Sequence, residues 1–67
     1  MFKITRNAPG NYDIVADKTG TQFKIMGTVE GKWEISTYDY DIGGVYTENT
    51  LKEAKRMIGL IITEGGL

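Results

Sequence analysis

The chain has 67 residues, no cysteine, no histidine and a formal net charge of −1, with 40% apolar and 25% charged side chains. That length holds one domain. The two missing residue types exclude a disulfide framework, a cysteine–histidine metal centre, a thiol nucleophile and the side chain most used for proton transfer near neutral pH. A balance so close to neutral also argues against holding nucleic acid by charge alone.

Apolar positions alternate through the first half. Phe2 with Ile4, then Tyr12, Ile14 and Ala16, then Phe23 with Ile25, then Trp33 with Ile35 each fall on one side of an extended segment. A period of two with β-branched and aromatic residues predicts four half-buried strands. Turn chemistry separates them at Asn7-Ala8-Pro9-Gly10-Asn11, Asp17-Lys18-Thr19-Gly20 and Val29-Glu30-Gly31.

Loop length tests this reading, because a loop wrong by one residue turns a strand's apolar side outward. A five-residue first loop sets Ile4 opposite Ile14 and Phe2 opposite Ala16. A four-residue second loop sets Ile14 opposite Phe23 and Tyr12 opposite Ile25. A three-residue third loop with Gly31 in the left-handed position sets Ile25 opposite Ile35 and Gly27 opposite Trp33. All three agree on one buried face. The other face carries Lys3, Thr5, Asp13, Val15, Gln22, Lys24, Met26, Thr28, Lys32, Glu34, Ser36 and Tyr38.

After the fourth strand, Gly43-Gly44 reads as another turn, and Val45-Tyr46-Thr47 offers a short fifth strand. Thr50-Leu51-Lys52-Glu53 is a capping box that starts a helix running to about Thr63, stopped by Gly65-Gly66. Leu51, Ala54, Met57, Ile58, Ile61 and Ile62 share one arc of that helix and predict the lid of the sheet. Lys52, Lys55, Arg56 and Gly59 lie opposite, and Leu60 falls outside the apolar arc. The expected fold class is α+β: an antiparallel meander of four strands, or five, packed on one C-terminal helix.

The longest unbroken apolar run is Leu60–Ile62, too short to span a membrane. The first residues alternate and lack the apolar core of a secretion signal, so a cytoplasmic protein is expected. The single serine, Ser36, has no histidine to activate it, and no lysine stands three residues beyond it. Asp39, Asp41 and Glu48 miss the calcium-loop pattern, with Gly43 and Thr50 at ligand positions. Gly43-Gly44 lacks the lysine of a phosphate loop. No catalytic residue, metal or cofactor is therefore expected.

Two surfaces remain. Tyr38, Asp39, Tyr40, Asp41 and Tyr46 form an aromatic, acidic cluster, and tyrosine is favoured at interfaces because it joins apolar area to a hydroxyl. Its rings serve either a partner protein or the end of the small core. The alternative is a nucleic-acid face built from Lys3, Lys24 and Lys32 on the open sheet. Against it, that face has no arginine, and Asp13 and Glu34 repel phosphates. So small a chain also suits either a monomer or a homodimer joined through edge strands or helices.

Gly31-Lys32-Trp33-Glu34-Ile35, followed by Tyr46-Thr47 and Leu51-Lys52-Glu53-Ala54, resembles small phage and prophage proteins of Gram-positive type. It is also similar to the arm-type DNA-binding domain of tyrosine integrases, which has an AP2-like fold of three strands and a helix. The match covers about half the chain. The first resemblance implies a protein that acts by binding, and in many cases blocking, a host protein. The second implies DNA binding through basic residues along the sheet, where this chain has Glu34, Ser36 and Tyr38 on the third of the corresponding strands.

Overall fold

The structure is a computed structural model that describes residues 1–37 and 46–67. Five strands, β1 (Phe2–Ala8), β2 (Asn11–Ala16), β3 (Gln22–Gly27), β4 (Trp33–Thr37) and β5 (Tyr46–Glu48), precede one helix, α1 (Leu51–Glu64). They form a single antiparallel sheet in the order β1-β2-β3-β4-β5, an α+β meander closed on one side by the helix.

The register agrees with the loop arithmetic. Ile4 pairs with Ile14, Phe2 with Ala16, Ile14 with Phe23, Tyr12 with Ile25, Ile25 with Ile35 and Gly27 with Trp33. The first loop is tighter than expected. The strands run on through Ala8 and Asn11, leaving Pro9-Gly10 as the turn, and the register shifts between Arg6 and Ala8. Pro9 presets its own φ, Gly10 supplies φ +75, and the bulge absorbs the odd residue, so the pairing upstream is unchanged. Gly31 has φ +80, as a bulged hairpin requires. The fifth strand covers Tyr46 and Thr47 of its predicted span and continues to Glu48, with Val45 outside the described residues; it pairs Tyr46 with Ile35 and Glu48 with Trp33.

At the start of α1, the Thr50 hydroxyl accepts the Glu53 amide at 3.1 Å. At its end, Gly66 takes φ +70, and the Leu67 and Gly66 amides return to the carbonyls of Ile62 and Thr63. This pair of bonds satisfies two carbonyls that a helix end leaves open, and it brings the Leu67 side chain onto the core.

The core is Ile14, Ala16, Phe23, Ile25 and Ile35 from the sheet and Ala54, Ile58 and Ile62 from the helix, with no polar side chain buried among the described residues. Four carbons or more per side chain leave water here, except at the two alanines. Ala54, wholly buried, lets the helix backbone approach the sheet.

Ile4 departs from expectation. It lies on the helix-facing side opposite Ile14, yet it remains 37% exposed. The helix begins just after β5 and ends beside Met1 and Asp17, so it crosses the sheet on a diagonal. A helix is about 10 Å wide, and five strands at roughly 4.8 Å spacing span about 19 Å. One helix therefore cannot cover both far corners, and the corner holding Ile4 and Arg6 stays open. Gly59 departs as well. It is half-buried rather than on a bare outer face, because Met1 folds over it. A Cβ at Gly59 would lie 3.7 Å from the Met1 sulfur, which also receives the Thr63 hydroxyl.

Candidate functional site

Tyr38, Asp39, Tyr40 and Asp41 lie outside the described residues. The remaining member of that cluster, Tyr46, opens β5 and is 40% exposed. Its partner across the strand pair is Ile35, a core residue, so Tyr46 stands on the helix-facing side of the sheet. Glu48 follows two residues later on the same side, opposite Trp33.

Beside these residues runs a groove between β5 and α1, lined by Glu48, Glu53, Arg56, Met57 and Leu60, with a volume of about 350 Å³. The helix period explains the set. Glu53, Met57 and Leu60 follow one another at spacings of four and three, so they form a stripe along the side of α1 next to the buried one. Met57 packs partly on the core, and Leu60 is 45% exposed. The groove thus has an apolar floor and two carboxylates with one guanidinium on its rim. A flexible methionine thioether beside an exposed leucine can adapt to a partner's apolar side chain. The rim charges would orient it.

The three lysines of the nucleic-acid reading do not form one patch. Lys3 is on β1 and Lys24 on β3, both on the face away from the helix, with β2 between them. Lys24 sits opposite Asp13 on one side and Ser36 on the other. Asp13 also accepts a hydrogen bond from the Asn7 amide. Lys32 precedes β4 and belongs to the turn. Lys3, opposite Val15, is on a different row from Lys24, whose neighbour on β2 is a carboxylate, and Glu34 lies between Met26 and Thr47 on the row beyond.

Sequence reading missed a second cluster, which adjoins the groove through Trp33, the strand partner of Glu48. Tyr12 and Trp33 place their ring centroids 6.0 Å apart at 58°, and the Lys55 ammonium sits 5.8 Å from the Tyr12 centroid. The signal lay in the register: Tyr12 and Trp33 are the partners of Ile25 and Gly27, next-nearest pairs on one face. Glycine leaves room there for the indole. Both rings pack against the core, with the lysine ammonium over the Tyr12 ring.

Among the described residues there is no cluster of three or more potential metal-ligating side chains and no helix long and apolar enough to cross a membrane. Comparison of the chain with family models, with curated proteins and with solved structures finds no match.

Proposed function

We propose that the protein is a non-catalytic binding module that works by protein–protein contact, as a phage-type accessory or inhibitor protein would. The observation that carries this reading is the β5–α1 groove, where exposed Leu60 and half-buried Met57 lie between Glu48, Glu53 and Arg56. Tyr46 stands on the same side of the same strand. Apolar floor, charged rim and adjacent tyrosine are the composition of a protein-binding patch. Tyr38 to Asp41 stand four residues before β5 in the chain and belong to the proposed surface by sequence. The phage resemblance points the same way.

The test is affinity capture from a bacterial lysate with the native chain and with Tyr46→Ala, Leu60→Glu and Tyr40→Ala/Asp41→Ala variants. One specific partner should be retained by the native chain and lost by at least the Leu60→Glu variant, with folding verified by circular dichroism. Capture that none of the three variants weakens refutes the surface. Steeply salt-dependent retention on duplex DNA, weakened by Lys24→Glu, would instead establish the open sheet face as the binding site.

A further inference from the structure

The outer edge of β1 is a second surface, distant from the β5–α1 groove, and its pattern of backbone groups specifies an occupant. The Asp17 amide donates to the Met1 carbonyl at 3.1 Å, so Met1 and Asp17 form a hydrogen-bonded pair. Such pairs alternate along an antiparallel ladder. Lys3 with Val15 and Thr5 with Asp13 are therefore the next bonded pairs. Phe2, Ile4 and Arg6 consequently turn their amides and carbonyls away from β2. No strand lies on that side among the described residues.

We infer that β1 pairs antiparallel with β1 of a second copy of this chain, on a two-fold axis through Ile4. A two-fold axis perpendicular to the sheet sets residues opposite each other whose numbers sum to an even value. Centred on Ile4, it places Ile4 against Ile4, Phe2 against Arg6 and Lys3 against Thr5. All outward amides and carbonyls of the three residues are then used, in six bonds. No like charges face each other. Centring on Lys3 opposes two ammonium groups. Centring on Thr5 leaves the Phe2 groups facing the bulge and sets Ile4 against Arg6.

The side chains support the same register. Ile4 is the exposed apolar residue of the corner that the diagonal helix leaves open. Pairing brings two such corners together on one side of a continuous sheet, and the two isoleucines cover each other. The assembly also closes. The bulge between Arg6 and Ala8 ends the usable edge, and the far edge, β5, has three residues among those described. A dimer results rather than a fibre. A contact of one short strand per copy is smaller than a standard interface of about 1,600 Å², so affinity in the micromolar to millimolar range is expected.

Sedimentation of the native chain should show a monomer–dimer equilibrium by roughly millimolar concentration. Added salt should strengthen it, because screening relieves repulsion among Lys3 and Arg6 of both copies. Ile4→Lys, which opposes two charges on the axis, and Ile4→Pro, which removes only an outward amide, should each reduce association at least tenfold while the fold persists by circular dichroism. A Lys3→Cys/Thr5→Cys double variant should cross-link into a covalent dimer with oxidised glutathione. Lys3 and Thr5 of the two copies form a non-bonded pair at about 4.5 Å between Cα atoms, within disulfide range. Lys3→Cys alone should not cross-link. A monomer at millimolar concentration, a folded Ile4→Lys variant that dimerises like the native chain, or no cross-link in the double variant overturns the inference. So does an edge that instead takes up an acidic segment of another protein, a contact that salt would weaken.

Discussion

Gly27 lies directly opposite Trp33, and a Cβ built on Gly27 would meet the indole at 3.6 Å. That is ordinary van der Waals contact, so the glycine gives the ring room without being required by its backbone angles. Gly27→Ala should be tolerated. Alanine restricts the unfolded chain, so a gain of about 0.4–1 kcal/mol is expected in urea unfolding. Gly27→Leu should displace the indole, costing about 1–3 kcal/mol, and shift the emission of Trp33.

Ile58 is fully buried between the helix and the sheet. Ile58→Ala removes contacts and leaves a cavity, at a cost of about 2–5 kcal/mol. A domain this small holds about 3–5 kcal/mol in total. Circular dichroism at room temperature should therefore show a largely unfolded population. The neighbouring Leu60→Ala, at an exposed position, should leave the melting curve within about 0.5 kcal/mol of the native one.

Thr50 accepts the Glu53 amide with its hydroxyl. Thr50→Ala should cost about 1 kcal/mol in denaturant unfolding, and Thr50→Ser should restore most of it, since serine keeps the acceptor.

Two glycines should respond in opposite senses. Gly31 has φ +80, which a side chain strains; Gly31→Ala should destabilise by about 1–2 kcal/mol, and Gly31→Asn by less. Gly59 sits mid-helix with space for a Cβ against the flexible Met1 thioether. Gly59→Ala should stabilise by roughly 0.5–1 kcal/mol. Thermal melts of the three variants check both signs.

Strand order, register and helix limits were legible because they follow from local rules. Turn glycines, loop lengths and alternation together permit one pairing, and a capping box with a terminal glycine marks a helix from either end. The bulge after Arg6 was not legible, because a five-residue loop and a tight turn with one extra residue place Ile4 opposite Ile14 equally well. Of the candidate site, Leu60 was readable as an exposed residue and Tyr46 as either a surface or a core-end ring, whereas the groove beside them and Met57 required knowing which flank of α1 meets β5.

Alternation, spacing and capping are properties of the chain itself, and they were enough to assign Ile14, Phe23, Ile25, Ile35 and Ile58 to one core. How the helix crosses the sheet is not such a property. It depends on how side chains from distant segments pack, and on Leu67 and Met1 docking at its far end. That diagonal leaves Ile4 exposed on the apolar face and half-covers Gly59 with Met1. It also opens a groove along β5, and from those three outcomes come the two surfaces proposed for binding.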